Sequence, residues 1–348
     1  MSASSHLLIS TALGQKGHRA PVWVMRQAGR ILPEYLAIRN SLRDFKELVE
    51  TPHLAAEVTV QPVDILGTDA AIIFSDILVV PEAMDLPYNM VEKKGPSFDR
   101  TIKTLEDIHL LNTKDIADRL SYVTEAIKIT KKALSGRVPL IGFAGAPLTI
   151  FTYMVEGGGS KTFSKARGFL FKNPEAAHIL LQKITDVTIQ YLKLQIAAGA
   201  DLVQLFDSWA GTYNPAHYSE FGMRYNNQIV SAITEAPTTI FAKGAFFALP
   251  ELGQSQANVI GLDWHTSADQ ALSNGCQNKV LQGNLDPCAL YGSFKDIEKA
   301  TKQMLSSFGS QPHIANLGHG VYPDTSADKV KCFIETVKAH YFSKAEAV

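Results

Sequence analysis

One short segment of the chain concentrates side chains that could bind an anionic ligand. The run Met25-Arg26-Gln27-Ala28-Gly29-Arg30 contains two arginines, at positions 26 and 30, and Arg39 and Arg43 follow it closely. Guanidinium groups hold carboxylates through paired hydrogen bonds and keep their charge, so several together indicate a ligand rich in carboxylates. The alternative is a set of surface arginines paired with Glu34 and Asp44.

A single acid stands before an apolar run in the segment Phe74-Ser75-Asp76-Ile77-Leu78-Val79-Val80-Pro81. A carboxylate in apolar surroundings is costly unless it is paired, hydrogen-bonded or functional. Asp76 is therefore a candidate for the central catalytic group. The alternative is an aspartate that only caps a turn.

Two glycine-rich segments carry further candidates. His319 stands between Gly318 and Gly320, where it has little to pack against, and a ligand-facing role is the reading we prefer over an ordinary turn. Tyr153 precedes the three glycines 157–159, which predict a bent or mobile lid. Taken alone, Tyr153 would more often be a core residue.

The elements that must position these residues are short apolar runs alternating with helical segments. Each run is apolar on both faces and rich in β-branched or aromatic residues, as in a parallel strand buried on both sides. The runs are 21–26, 70–75, 139–144, 202–206, 239–242, 258–262, 279–282 and 313–316. Eight of them predict an α/β fold of the (β/α)8 TIM-barrel type, with an open doubly wound sheet as the alternative. Reactive groups would then meet at the carboxyl ends of the strands.

Residues typical of helix ends and an internal sequence similarity, which we call the echo, support this interpretation. Asn173-Pro174 starts a helix that Gly199 ends, and Thr51-Pro52 starts one that Gly67 ends. Residues 67–76 align without gaps on residues 199–208, which indicates equivalent β/α units. The polar stretch 85–110 reads as an insertion after the second strand.

Length and composition limit the classes that remain. The chain has 348 residues, and a barrel needs about 250, so we expect residues 1–20 to be an N-terminal extension and residues 21–348 to be one barrel domain. Lys and Arg (33) balance Asp and Glu (34), which favours neither nucleic acid nor a membrane as partner. Three scattered cysteines indicate a reducing compartment, and we expect the cytoplasm.

Taken together, the chain resembles the uroporphyrinogen decarboxylase family from Pro21 to about Thr325. The most specific segments are Met-Arg-Gln-Ala-Gly-Arg at 25–30, Phe-Ser-Asp-Ile at 74–77, Gly-Phe-Ala-Gly-Ala-Pro-Leu-Thr at 142–149 and Gly-His-Gly-Val at 318–321. All four stand in order, each at the end of a predicted strand.

The resemblance implies a homodimeric barrel carboxy-lyase of porphyrin and haem biosynthesis. It would remove the four acetate carboxyls of uroporphyrinogen III to give coproporphyrinogen III, with a tetrapyrrole as its small-molecule partner and with no cofactor or metal. The implied catalytic residues are Asp76, Arg26, Tyr153 and His319. The implied substrate contacts are Arg26, Gln27, Ala28, Gly29, Arg30, Arg39, Asp76, Tyr153, Ser208 and His319.

These residue types suit a decarboxylation in which the pyrrole is its own electron sink. Protonation of a ring carbon creates a cationic ring that takes up the electrons of the breaking bond. A fixed carboxylate such as Asp76 would stabilise that cation. Arg26 and His319 are both candidates for the proton donor, and the sequence does not decide between them.

Three other functions compete with this interpretation. A corrinoid- or zinc-dependent methyltransferase of the same barrel type needs a His-x-Cys pair, and none of the ten histidines has cysteine two places on. A Schiff-base aldolase could use Lys243, although pairing with Asp263 or Asp207 is the reading we prefer for that lysine. A tetrapyrrole carrier would bind without turnover, but it gains nothing from a central acid such as Asp76.

Overall fold

The computed structural model describes residues 6–91 and 94–342, and its centre is a parallel β-sheet. In this part of the chain seven strands pair in the order β1-β4-β5-β6-β7-β8-β9, each parallel to its neighbours. They are β1 (Ala71–Ile72), β4 (Leu140–Gly145), β5 (Leu202–Asp207), β6 (Thr238–Ala242), β7 (Val259–Gly261), β8 (Val280–Leu285) and β9 (His313–Leu317). A separate antiparallel hairpin consists of β2 (Tyr88–Val91) and β3 (Gly95–Phe98).

Helices connect the parallel strands. They are α1 (Leu7–Ala12), α2 (Pro33–Ser41), α3 (Phe45–Glu50), α4 (Pro52–Leu66), α5 (Val79–Ala83), α6 (Leu105–His109), α7 (Ile116–Arg119), α8 (Ser121–Leu134), α9 (Pro147–Glu156), α10 (Ser164–Lys172), α11 (Pro174–Ala198), α12 (Pro215–His217), α13 (Arg224–Ala232), α14 (Leu249–Gln254), α15 (Ala268–Ala271), α16 (Phe294–Phe308) and α17 (Ala327–Ala339). Short 3₁₀ or π turns cover Ala210–Thr212, Tyr218–Met223, Phe246–Ala248, Leu272–Cys276 and Pro287–Tyr291. No helix among the described residues is long and apolar enough to cross a membrane.

The two helices predicted from their ends are confirmed. The long helix α11 has Pro174 as its first residue, and Gly199 follows its last. Helix α4 begins at Pro52, and Gly67 ends it in the left-handed conformation, with φ of 72°. Glycine adopts that conformation without the steric cost that a side chain imposes.

The predicted first strand, residues 21–26, is wrong as a regular strand. The segment makes one bridge, between Val22 and Ala315, and the Ala315 N–H donates to Pro21 O at 2.8 Å. Regular strand pairing stops after Trp23 because side-chain oxygens accept the next two backbone N–H groups. The N–H of Val24 donates to Gln27 Oε1 and that of Met25 donates to Asn316 Oδ1, both at 3.0 Å. Pro21 itself has no N–H to contribute.

Side chains from distant strands meet on the inside of the sheet, which shows that the sheet curls. Gln282 on β8 donates to Gln204 on β5 at 3.0 Å, although two strands separate them in the sheet order. Trp23 donates from its indole N–H to Gln282 Oε1, also at 3.0 Å. These buried polar groups hold the first segment, the middle and the late strands around one interior.

The internal echo corresponds to a repeated contact at the amino ends of the strands, which we call the main-chain clasp. In each clasp an Asp or Asn donates its backbone N–H to the carbonyl of a partner residue on the neighbouring strand segment. The side-chain oxygen of the Asp or Asn accepts the backbone N–H of that partner. The pairs are Asp69 with Val22, Asp201 with Leu140 and Asn258 with Thr238, at distances of 2.7 to 3.0 Å. The aligned segments 67–76 and 199–208 are therefore equivalent elements. The third clasp uses asparagine and has no echo in the sequence.

The predicted insertion at 85–110 forms the hairpin β2–β3 and helix α6. The hairpin lies along the three-glycine segment: Ser97 forms a bridge with Gly158, and the Phe98 N–H donates to Gly157 O at 2.9 Å. The division at residue 20 stays a prediction. Residues 1–5 lie outside the described part, and α1 packs against β9 with Leu8 and Ala12 buried.

Candidate active site

Aromatic rings line the carboxyl ends of the middle strands. Phe143, Phe206 and Phe241 follow one another on β4, β5 and β6, with ring centroids 5.5 and 6.2 Å apart. The ring of Phe241 also meets His319, just after β9, at 6.1 Å. This apolar wall brings the end of β9 opposite β6, so groups at the two strand ends share one space.

Arg26 projects its charge here without an internal partner. Its guanidinium forms no hydrogen bond or ion pair with any residue that the structure describes, and its side chain is exposed. Its backbone has a φ of 65°, a left-handed conformation that costs a residue other than glycine about 1 to 3 kcal/mol. The strained backbone of Arg26 thus presents a cation that has no partner in the described chain.

Asp76 lies deep at the end of the β1 segment but keeps part of its surface accessible. Its Oδ1 accepts the N–H of Leu78 at 2.9 Å, so it also makes the turn that the alternative reading predicted. Burial raises the pKa of Asp76, while the Leu78 N–H, the Tyr88 hydroxyl and the charge of Arg26 act in the opposite direction. The carboxylate is therefore costly to ionise in isolation and gains from any nearby positive charge.

Tyr88 is a neighbour of Asp76 that the sequence analysis missed. It comes from the inserted hairpin and is 1% exposed, and its buried hydroxyl forms no hydrogen bond with the described residues but lies close enough to Asp76 to lower the pKa of that acid. The ammonium of Lys46 lies 5.2 Å from the centre of its ring and pairs with Glu82. No sequence signal marks this residue, because it stands in a polar stretch without a clear period.

Tyr153 lies on α9, half-buried between two other rings. Its ring meets those of Phe163 and Trp209 at 6.4 and 6.0 Å. Burial raises the pKa of Tyr153, and the charges of Asp76 and Arg26 act on it in opposite directions. The hydroxyl therefore stays protonated and available as a donor near the other two predicted residues.

His319 is placed at the same site in its neutral form. Burial, together with the positive charges of Arg26 and Lys243, lowers the pKa of His319 to about 3. At neutral pH its imidazole can hydrogen-bond but carries no proton to give up as an imidazolium.

The remaining predicted contacts divide into available and occupied groups. Gln27 is 0% exposed, and its amide bonds the Val24 N–H and the Ala70 carbonyl, so that side chain is used within the protein. Ala28 and Gly29 are half-buried beside it, and Ser208 is half-buried after β5. Burial raises the pKa of Tyr35, and the positive charges of Arg39 and Arg30 lower it. Neither arginine pairs with Glu34 in the described chain. Arg43 does pair with Asp44, at 3.2 Å, as its alternative reading predicted.

A second buried acid, Asp207, was missed as part of the site's support. Its carboxylate accepts from Thr149 Oγ1 at 2.7 Å, Tyr218 OH at 2.9 Å and Asn226 Nδ2 at 3.2 Å. Burial raises the pKa of Asp207 against these three donors. The echo could have indicated it, because Asp207-Ser208 aligns on Ser75-Asp76.

The preferred pairing of Lys243 with Asp263 or Asp207 is wrong. Neither acid forms an ion pair with Lys243 in the described chain, although the charge of Asp263 still raises the pKa of Lys243. Asp263 accepts the N–H groups of Gly244 and His265, and Asp207 accepts three side-chain donors. Within the described residues, no cluster of three or more His, Cys, Asp or Glu side chains could hold a metal ion.

Comparison with known proteins identifies close relatives over nearly the whole chain. The family profile described as Uroporphyrinogen decarboxylase (URO-D) matches residues 3–340. A uroporphyrinogen decarboxylase of Flavobacterium johnsoniae is 49% identical over 96% of this chain and 98% of that protein. Those of Schizosaccharomyces pombe and Ovis aries are each 46% identical, over 97% and 95% of this chain and 98% and 93% of the relatives.

Solved structures share the architecture at lower sequence identity. A methyltransferase from Methanosarcina mazei matches with a TM-score of 0.81 at 21% identity, over 95% of this chain and 97% of that one. A B12-independent methionine synthase from Shewanella sp. matches with a TM-score of 0.57 at 12% identity, over 94% and 97%. These likenesses concern the fold alone.

Proposed function

This chain belongs to the uroporphyrinogen decarboxylase family, and we propose that it converts uroporphyrinogen III to coproporphyrinogen III by removing four acetate carboxyls as CO2. It would act in porphyrin and haem biosynthesis as a carboxy-lyase. One feature carries the proposal beyond family membership: Arg26, whose guanidinium has no partner in the described chain, lies close enough to the deep carboxylate of Asp76 for its charge to lower the pKa of that acid. A free cation suits the substrate's carboxylates, and a deep anion suits a cationic ring.

The reaction needs a place for the electrons of the broken C–C bond, and the substrate pyrrole supplies it. A proton adds to the ring carbon beside the acetate-bearing carbon and makes the ring cationic. The bond to the carboxyl then breaks, CO2 leaves, and the electron pair enters the ring. The exocyclic methylene takes up a proton to become methyl, and the ring carbon gives one back, so each CO2 lost consumes one proton. No added cofactor is required for this sequence.

Asp76 would stabilise the cationic ring. At about 4 Å and an effective dielectric near 20, opposite unit charges attract by roughly 4 kcal/mol, which corresponds to about three powers of ten in rate. Because burial raises the pKa of Asp76 in the free protein, its negative charge is poorly compensated until the ring becomes positive. The interaction is therefore stronger in the transition state than in the ground state, which is the condition for catalysis.

Arg26 is the proton donor that we propose in preference to His319. His319 has a pKa of about 3, so its imidazole is neutral near pH 7. It would hydrogen-bond the substrate instead of supplying the proton. Tyr153 and Ser208 would add hydroxyl contacts, while Arg30 and Arg39 would meet carboxylates at the rim with the backbone of 27–29.

We also propose the finer architecture and assembly. The segment 21–26 would take the place of the eighth strand and close a (β/α)8 barrel domain spanning 21–348, because the Asp69 N–H donates to Val22 O at 2.7 Å and Val22 bridges Ala315 on the other side. A homodimer is consistent with large apolar side chains left exposed, such as Phe171. The three free cysteines fit a reducing compartment such as the cytoplasm.

The direct test is product analysis. Purified protein, dialysed against a chelator, is incubated with reduced uroporphyrinogen III under anaerobic conditions, and the porphyrins are separated by their number of carboxyls after oxidation. Species with seven, six, five and finally four carboxyls are expected, with CO2 released in proportion. Recovery of the eight-carboxyl compound alone would leave the protein without this activity.

A further inference from the structure

Lys243 occupies a defined position at the carboxyl end of β6. Its backbone N–H donates to Asp207 O at 3.1 Å, and its carbonyl accepts the N–H of Gly211 at 2.9 Å. The main chain is thus fixed between the end of β5 and the turn that follows it. Its ammonium lies 5.8 Å from the ring centre of Trp264, beyond the end of β7, and its charge reaches His319. The side chain therefore faces the same space as the candidate active site.

The Lys243 side chain is half-buried, and its ammonium pairs with no carboxylate of residues 6–91 and 94–342. Asp263, the acid whose charge reaches it, already accepts the N–H groups of Gly244 and His265 and lies 3.3 Å from His265 Nδ1. Among the residues that the structure describes, Lys243 makes no ion pair or side-chain hydrogen bond. Burial lowers the pKa of Lys243, Asp263 opposes this, and Arg26 adds to it. A buried ammonium that lacks an anion is costly unless a ligand supplies one.

We infer that Lys243 is a carboxylate anchor, a specificity-determining residue that binds a peripheral carboxylate of the substrate opposite Arg26. The inference rests on the proposed function, since it names a further contact for the same polyanionic substrate. The positive charges of Arg26 and Lys243 both lower the pKa of His319, and neither side chain has a counter-ion among the described residues, so together they make a site for negative charge. The aromatic ring of Trp264 stabilises the Lys243 ammonium near this site in the absence of a bound carboxylate.

A lysine suits the task of receiving several carboxylates in turn. Four different acetates must each reach Asp76, so the macrocycle has to be bound in successive orientations. An ammonium on a flexible stem acts as a point charge and accepts a carboxylate from many directions, whereas the planar guanidinium of arginine demands a paired geometry. The removal of Lys243 should therefore affect binding of the substrate and of every intermediate.

The variants Lys243→Met and Lys243→Arg test the anchor against a purely structural lysine. Lys243→Met removes the charge and keeps an apolar stem for Trp264, while Lys243→Arg keeps the charge. With uroporphyrinogen, Lys243→Met is expected to raise KM about tenfold or more with a smaller change in kcat, and to release partly decarboxylated intermediates. Lys243→Arg should recover most of the KM. Lys295→Met, on the outer helix α16, is the matched control and should leave both constants unchanged.

Differential acetylation supplies a readout that does not depend on turnover or on the stability of a variant. Wild-type protein is treated with a limiting amount of acetic anhydride, with and without saturating coproporphyrin, and modified lysines are quantified by mass spectrometry. The porphyrin is expected to slow acetylation of Lys243 about tenfold while leaving Lys295 unaffected.

The outcomes separate the anchor from the proposed function. An unchanged KM in active Lys243→Met protein, a loss in kcat alone, or equal acetylation with and without porphyrin would each overturn the anchor. Failure of wild-type protein to convert uroporphyrinogen would instead overturn the proposed function, and the acetylation result would then still judge Lys243 as a carboxylate site.

Discussion

Gly320 lies against the side chain of Arg26 so closely that no β-carbon fits between them. A Cβ at position 320 would stand 2.6 Å from Arg26 Cγ and 2.8 Å from Nε. The segment 318–320 after β9 and the segment around Arg26 therefore fix each other's positions. The position of the Arg26 guanidinium, which has no partner among the described residues, therefore depends on the absence of a β-carbon at Gly320.

The first prediction is that Gly320→Ala displaces Arg26 without unfolding the protein. The added methyl meets a flexible side chain, so the arginine can move, and kcat/KM should fall about 10- to 100-fold as positioning is lost. The melting temperature should stay within about 2 °C of the wild-type value. Gly318→Ala is the contrasting control: its Cβ would meet the backbone N of Trp264 at 2.5 Å, so it should lower stability. Normal activity in Gly320→Ala would contradict the contact.

The second prediction concerns the charge of Asp76. Asp76→Asn keeps the shape and the acceptor for Leu78 but removes the negative charge, so kcat should fall by about three powers of ten. The same change should not destabilise the protein near neutral pH. Because burial raises the pKa of Asp76, its favourable contribution is present at low pH and is lost as pH rises through the folded-state pKa.

The measurement is urea unfolding of both proteins at acidic and at neutral to alkaline pH. The free energy of unfolding of Asp76→Asn, relative to wild type, should be greater at the higher pH. Asp207 contributes a similar pH dependence to both proteins and therefore cancels in the comparison. A variant that unfolds more easily at high pH, or that turns over at the wild-type rate, would remove Asp76 from the central position.

The third prediction is that Tyr88→Phe moves the acidic limb of kcat/KM to higher pH. The Tyr88 hydroxyl helps to hold down the pKa of Asp76, so without it the carboxylate takes up a proton more readily. The rate at pH values above the limb should change little, because Tyr88 is not proposed to touch the substrate. Profiles of kcat/KM against pH for the two proteins give the answer, and coincident acidic limbs would show that the hydroxyl does not act on Asp76.

The fourth prediction separates the two candidate proton donors. His319→Gln keeps a hydrogen-bonding group and removes a histidine that is already neutral, so kcat should fall by no more than about 10²-fold and the limbs near neutral pH should not move. Arg26→Gln removes both the proposed proton donor and the positive charge that would bind the substrate, and its kcat should fall well below that of His319→Gln. The reverse order of the two losses would restore His319 as the acid.

The sequence predicts the strand ends better than it predicts the strands. Runs such as 202–206 and 313–316 are strands because both faces are buried, and that shows in their composition. Residues 21–26 have the same composition, but Gln27 and Asn316 take their amides, and a competition between side chain and backbone cannot be read from apolar pattern alone. The candidate residues Arg26, Asp76 and His319 still follow strand segments, because the position after a strand does not depend on how regular the strand is.

Contacts between residues of the candidate site could not be predicted from the sequence, for a different reason. Asp76 and Arg26 stand in recognisable motifs, whereas Tyr88 stands on the hairpin β2–β3, and its proximity to Asp76 exists only once the hairpin is placed. Lys243 stood at a predicted strand end, but whether an acid pairs with it depends on the other hydrogen bonds of Asp263. Type and spacing identify charged groups, and only the structure shows which charges remain unpaired.

The fifth prediction tests whether the echo is a stability device separate from the site. Asp201 accepts the Leu140 N–H at 2.7 Å and the Lys131 ammonium at 2.7 and 2.9 Å, at the amino ends of the strands. Asp201→Ala leaves a buried strand amide without its acceptor and should cost about 1 to 3 kcal/mol in the free energy of unfolding. Asp201→Asn keeps an oxygen for that amide and loses mainly a part-exposed ion pair, so it should cost less than about 1 kcal/mol.

Both Asp201 variants should keep the wild-type KM for uroporphyrinogen, because the candidate site lies at the opposite ends of the strands. Asp69→Ala should cost at least as much as Asp201→Ala, since Asp69 makes the same clasp with Val22 and also accepts two hydrogen bonds from the Arg19 guanidinium at 2.6 and 2.9 Å. Urea unfolding and steady-state kinetics on the same preparations test both parts. Equal stability of the alanine and asparagine variants would mean that the ion pair with Lys131, and not the main-chain clasp, carries the contribution of Asp201.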